Sequence, residues 1–233
     1  MRKLNQVLVS TGAESFREIV PLTLLSLASS AMLVPVVIFT PLALSFILIP
    51  LLYMPLFFGA FYAYHRRTEG KKLSVREMLA GARKGFVPAV VSGLFCSLLV
   101  LILGSTWWFY GGRDGAVNWT IAIFQTYFVA MAFVSQFYTL QLVLQNKLGI
   151  FKAMGESVKL FLRYPAYTIG AFFQALVVGV MLLVTVVGFA ALFNGLLAVY
   201  LHKSANNVLH PDEAAEAEGV PETSPAYAEG RLI

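Results

Sequence analysis

The chain has 233 residues, 58% of them hydrophobic and only 12% charged, where soluble domains carry about 25% charged residues. A fold of this size cannot hide that much apolar surface from water, which excludes an ordinary soluble globule. The 17 Lys and Arg exceed the 12 Asp and Glu and give a net charge of +5; where those cations fall along the chain matters more than their sum.

The opening stretch, MRKLNQVLVSTGAESFREIV, is broken by Glu14, Arg17 and Glu18 before any long apolar run. It lacks the uninterrupted apolar core of a signal peptide, so the N-terminus is expected to be retained. Four runs without Asp, Glu, Lys, Arg or His follow: residues 19–64 (46 residues), 85–112 (28), 115–146 (32) and 164–201 (38). A helix needs about 20 apolar residues to cross a bilayer. Backbone polar groups in lipid must be satisfied within the segment, so these runs are expected to be helical. The chain therefore reads as an all-α integral membrane protein. About six transmembrane helices form three hairpins, with amphipathic interfacial helices between them.

In the first run Pro41 is the expected break, giving spans at about 21–40 and 41–64, with Pro35, Pro50 and Pro55 as kinks inside them. The second run supplies a span at about 87–109. The Gly-rich turn YGGRDGAVN follows, flanked by Trp107, Trp108, Tyr110 and Trp119, residue types that favour the membrane–water interface. The third run supplies a span at about 119–144. A hairpin near Val187-Gly188 divides the fourth into 166–185 and 189–201; a single long helix, giving five spans, is the alternative. The one cysteine, Cys96, lies in an apolar run and reads as a small buried hydrophobe.

Cations gather between the runs. Three Lys or Arg precede the first span, seven lie between spans two and three, and four lie between spans four and five. Only Arg113 lies between spans three and four. The positive-inside rule places the N-terminus and both basic segments in the cytoplasm, and six spans return the C-terminus there. The expected location is the bacterial inner membrane.

The two basic segments resemble each other. KLSVREMLAGARKGFVPA, starting at Lys72, and KLGIFKAMGESVKLFLRYPA, starting at Lys147, align at an offset of 75 residues up to Phe86 and Phe161. Each predicts an amphipathic helix. Val75, Met78, Leu79, Ala82 and Phe86 form one apolar stripe, and Ile150, Met154, Val158 and Phe161 the other. Ser74 and Glu77 make a capping-box pattern. Pro88 and Pro165 are expected to open the spans that follow. Thr11 and Glu14 give a fainter third capping pattern before Pro21. The chain thus reads as a single transmembrane domain, 1–205, built from repeats at about 1–68, 69–144 and 145–205. An acidic cytoplasmic tail, 206–233, is expected to be disordered.

No HExxH, Walker A or GxSxG element is present. His65, His202 and His210 have no helical i+3 or i+4 partners; His65 and His202 close spans and are positioned to meet at the membrane face. No catalytic residue, cofactor or metal ligand is expected, and the chain reads as not an enzyme. Gln125, Gln136 and Thr139 share one helical face in span four, a polar intramembrane face for a neutral solute or for helix packing. Asn194 and Gln174 are expected to join helices. Arg76, Arg83, Lys84, Lys152, Lys159 and Arg163 are expected to make cytoplasmic interfacial contacts. Anionic lipid headgroups are their nearest partner, ahead of nucleic acid. A membrane-protein partner is the other.

The stretches FFGAFYAYHRRTEGKKLSVREMLAGARKGF and SVKLFLRYPAYTIGAF resemble the YesL-like family of small bacterial multi-pass membrane proteins. The similarity spans about residues 15–205. VPVVIFTPLAL stands where that family carries Leu-Pro…Thr-x-Gly-Pro. The family's frequent company with carbohydrate-uptake systems implies an accessory or scaffold role in a transport or envelope system. A small permease for a neutral or hydrophobic solute is the alternative.

Overall fold

The computed structural model describes residues 3–113 and 115–210, and every regular element within them is helical. Helix α1 (Leu4–Arg17) leads into α2 (Ile19–Phe39); α3 (Leu42–Leu48) then continues through a π-helical turn, Ile49–Tyr53, into α4 (Met54–Thr68). Next come α5 (Val75–Lys84), α6 (Phe86–Tyr110), α7 (Ala116–Ser135), α8 (Thr139–Gln145), α9 (Ile150–Arg163), α10 (Pro165–Val184) and α11 (Val187–Leu209). Five stretches are long and apolar enough to cross a membrane: Ile19–Phe39, Leu42–Thr68, Phe86–Tyr110, Ala116–Gln145 and Pro165–Val184. Helix α11 packs among them, against α1, α2, α4 and α10.

The reversals that follow α2, α6 and α10 lie at one end of the bundle. Helices α5 and α9 lie at the other, the basic end. Pro41 breaks the first run as its sequence predicts, and Pro50 sits in the π-helical turn, where the wider spacing absorbs its missing N–H. The fourth run is two helices packed on each other, not one long rod. They part at Val186, whose positive φ of 44° turns the chain back. Phe193 lies under Gly179, where a Cβ would come within 3.1 Å of its ring.

Helix α5 begins where expected: Ser74 Oγ accepts the Glu77 amide at 3.3 Å. Met78, Gly81 and Ala82 face inward, whereas Leu79 and Phe86, placed on the same stripe, are exposed. In α9 the buried line is Ile150, Ala153, Ser157 and Phe161. Pro165 opens α10, but Pro88 is the third residue of α6. Both are tolerated because the first four amides of a helix have no internal acceptor.

The capping pattern at Thr11 and Glu14 does not form. Both residues lie inside α1, where Thr11 Oγ1 donates to the Val7 carbonyl at 2.7 Å. That helix instead starts at Lys3, whose amide donates to Gln6 Oε1 at 3.0 Å. The tail boundary also moves. Residues 206–209 belong to α11, because Asn207 is buried and its Nδ2 donates to Tyr167 Oη at 2.9 Å. The remainder of the expected tail, 211–233, lies outside the described residues.

Span four is interrupted. Helix α7 stops at Ser135 and α8 restarts at Thr139. Ser157 of α9 spans the gap: its Oγ donates to the Ser135 carbonyl at 2.7 Å and accepts the Tyr138 amide at 3.3 Å. One buried hydroxyl thus bonds to a backbone group on each side of the break.

Candidate functional site

Polar groups inside the apolar bundle form two kinds of arrangement. The first joins helices. Ser26 Oγ accepts the Gly195 amide at 2.8 Å, Ser30 Oγ donates to the Ala190 carbonyl at 3.0 Å, and Asn194 Nδ2 donates to Ser29 Oγ. Asn194 Oδ1 in turn accepts Tyr53 Oη at 2.7 Å. Gln174 accepts Tyr200 Oη at 2.9 Å and donates to Asn5 at 3.4 Å. These groups tie α2, α10 and α1 to their neighbours, the packing role expected of Asn194 and Gln174.

The second arrangement is an open space. A cavity of about 480 Å³ lies between α4, α6, α8, α10 and α11, walled largely by apolar and aromatic side chains such as Phe57, Phe95, Phe172 and Phe193. Gln141 from α8 lines it. That side chain is 1% exposed, and neither its Nε2 nor its Oε1 has a hydrogen-bond partner. A buried, unpaired amide costs about 1–3 kcal/mol. Gln136 also lines the cavity, but its Oε1 accepts Thr139 Oγ1 at 2.8 Å. Cys96 lines it as well and is only partly buried.

The structure thus brings Gln136 and Thr139 together and leaves Gln125 apart, half-exposed on α7 and away from the cavity wall. Eleven residues of helix put Gln125 about 16 Å from Gln136 along α7, whereas the break after Ser135 changes what Gln136 meets on α8. On an unbroken helix Gln125 and Gln136 share a face, while Gln136 and Gln141 point about 140° apart. The irregular turn resets that phase, so Gln136 and Gln141 converge. In the sequence Gln141 is only one amide among several in that run, and its isolation depends on the break.

One helical turn from the cavity, toward the basic end, a second pocket of about 440 Å³ is lined by Tyr62, His65, Arg66, Glu69, Lys84 and Lys147 among others. Arg66 pairs with Glu69 at 2.5 Å, and Lys84 Nζ donates to Tyr62 Oη at 3.3 Å. Of the expected interfacial cations, Lys84 lines this pocket. Arg76, Arg83, Lys152, Lys159 and Arg163 are exposed on α5 and α9. His65 and His202 do meet, with ring centroids 5.6 Å apart, and Gln145 Nε2 lies 3.1 Å from His202 Nδ1. Among the described residues no three His, Cys, Asp or Glu side chains gather into a metal-binding group.

No protein-family model, curated protein or solved structure matches this chain.

An ionic cluster closes the same end of the bundle. Glu14 of α1 accepts Tyr64 Oη at 2.8 Å and pairs with Lys203 of α11 at 2.8 Å, while Arg67 pairs with Glu18 at 2.6 Å. Lys203 also donates to the Ser10 carbonyl at 2.8 Å. Burial alone pushes the Glu14 carboxyl upward, but its bonds from Lys203 and Tyr64 and the nearby charges outweigh that, and it sits below its ordinary value of 4.5. A lowered folded value means that Glu14 stabilises the fold fully above the unfolded pKa, and that this contribution is lost as pH falls through the folded one. Glu14→Gln is expected to lower stability at pH 7 by about 1–2 kcal/mol. The gap from the unmodified protein should narrow below pH 4.5. Thermal unfolding in detergent across pH 3.5–7 checks both.

Proposed function

We propose that the chain is a non-enzymatic multi-pass protein of the bacterial inner membrane, an accessory or scaffold component of a transport or envelope system. One observation carries this reading. Helices α5 and α9 lie at one end of the bundle, with Met78, Ala82, Ala153 and Phe161 packed inward, Arg76, Arg83, Lys152, Lys159 and Arg163 exposed, and Lys84 lining the pocket beside Tyr62. Such a surface suits anionic headgroups and a partner docked at the membrane face. In this reading α11 is a sixth span, both described ends of the chain are cytoplasmic, and each interfacial helix with its following hairpin is one repeat of three. The resemblance to the YesL-like family points the same way.

The topology has a direct test. On a Cys96→Ser background, His210→Cys is expected to react with a membrane-impermeant maleimide only after cells are opened, whereas Gly112→Cys reacts in intact cells. Reaction of position 210 from outside removes the six-span arrangement. The role is tested by cross-linking and pull-down from native membranes. Absence of any membrane partner, together with solute flux by the protein alone in liposomes, overturns the accessory reading and favours the small permease, for which the cavity at Gln141 is the supporting observation.

A further inference from the structure

The basic pocket stands where four helices meet. Helices α4, α6 and α8 pack on one another there, and α5 packs on α4. Three helix ends each deliver a cation to it: Arg66 from the last turn of α4, Lys84 as the last residue of α5, and Lys147 just beyond α8. A single cation near a helix C-terminus is ordinary. Three that converge on one space of about 440 Å³ repel one another. Two of them flank a single ring: Arg66 Cζ lies 6.0 Å and Lys84 Nζ 5.6 Å from the ring centre of Tyr62.

Carboxylates answer only one of the three. Glu69 is the one carboxylate on the pocket wall, and Arg66 already holds it at 2.5 Å. The hydrogen bond from Arg66, helped by the charges of Arg66 and Lys147, keeps the Glu69 carboxyl below its ordinary value of 4.5, so it is ionised and engaged. Glu77 of α5 also acts on Arg66, more weakly. Among the described residues no ion pair involves Lys84 or Lys147. Lys84 Nζ donates instead to Tyr62 Oη at 3.3 Å, and the Tyr62 O–H donates to no group among the described residues. Much of the remaining wall is apolar, with Phe58, Pro88 and Leu144, and such low-dielectric walls strengthen the field of the charges beside them.

We propose that this pocket is a binding site for a phosphate monoester. Three cations against one carboxylate leave two positive charges unanswered, and a phosphate monoester carries a charge of about −1.5 to −2 at pH 7. Its oxygens lie between Lys84 and Lys147 and accept the Tyr62 O–H. Arg66, held by Glu69, closes the site on the side of α4. The recognised group is the same whether it heads a lipid of the surrounding bilayer or belongs to a soluble compound. The site stands on the pocket's own walls and not on any accessory partner.

Isothermal titration calorimetry of the full-length protein in detergent, at about 0.15 M salt, tests this with glycerol 3-phosphate and with phosphatidate in mixed micelles. Saturable binding of one equivalent is the expected result. Binding of glycerol 3-phosphate identifies a soluble source, and binding of phosphatidate alone identifies a lipid headgroup; each supports the site. Lys84→Gln with Lys147→Gln is expected to weaken the affinity about tenfold or more, since two charge-assisted donors to the phosphate are lost. Glu69→Gln is expected to tighten it, because the competing carboxylate is gone and Arg66 is freed for the phosphate. Arg17→Gln with Lys72→Gln removes the same two charges from exposed positions outside the pocket and is expected to leave the affinity unchanged. An equal loss in that second pair shows diffuse surface charge and overturns the proposal. So does the absence of saturable binding of both ligands, an unaltered affinity in Lys84→Gln with Lys147→Gln, or weaker binding in Glu69→Gln. Phosphatidylglycerol, a singly charged diester, bound as tightly as phosphatidate also overturns it.

Discussion

Gly59→Val is expected to detach α5 from α4 and to lower stability by about 3 kcal/mol or more, the upper end for forcing volume into a packed contact. Gly59 lies where the two helices cross most closely. A Cβ added there meets the Met78 carbonyl oxygen of α5, with the Ala82 amide nitrogen and the Met78 carbonyl carbon at 3.1 Å. These are backbone atoms of a helix, so none can swing aside as a side-chain tip would. Ala60 and Ala63 of α4, both fully buried, keep the rest of that approach short. The partner side is equally tight: a Cβ on Gly81 would meet Tyr62 at 2.5 Å. Small residues let helices close where apolar surroundings supply little hydrophobic driving force between them. Denaturant titration in micelles measures the loss, and limited proteolysis of residues 69–85 reports where it falls. A variant that remains as protected and as stable as the parent shows that the close crossing is not required.

Asn194→Leu is expected to cost about 2 kcal/mol. The amide is 2% exposed and joins three elements, accepting from Tyr53 and donating to Ser29. Interhelical bonds of this kind in apolar surroundings contribute about 0.6–2 kcal/mol each. The leucine also leaves the Tyr53 hydroxyl without its acceptor. Ser29 loses less, since its Oγ also donates to the Leu25 and Ser26 carbonyls of its own helix, at 3.0 and 2.9 Å. A cycle of Tyr53→Phe and Asn194→Leu should therefore show a coupling of about 1 kcal/mol, read from unfolding midpoints. Additive effects remove the claim that this pair acts together.

The helices were largely legible in the chain because charge-free runs leave the backbone few other choices. Pro41 marked the first reversal and Ser74 the start of α5, since both act through their immediate neighbours. What could not be read depends on distant residues. The gap in span four is supported by Ser157, nineteen positions beyond Tyr138. The extension of α11 to Leu209 rests on Asn207 meeting Tyr167, forty residues earlier. Thr11 and Glu14 have the spacing of a cap, but α1 begins upstream and Glu14 turns instead to Tyr64 and Lys203. The candidate site was legible in its residue types and not in its grouping. Gln136 was visible as an amide in an apolar run; that Gln141 would join it follows from the turn between α7 and α8.

The serines of α2 have a bearing on how the protein is made. Ser26, Ser29 and Ser30 find their partners on α11 at separations of 169, 165 and 160 residues. At about 5–20 residues per second, the ribosome takes roughly 8–30 s to supply them after α2 has left it. Through that interval α2 waits without the bonds that α11 brings to its serines, and its assembly is governed by the last of the described helices to emerge. A chain halted before Asn194 holds most of its helices but lacks the one that locks the first of them in place.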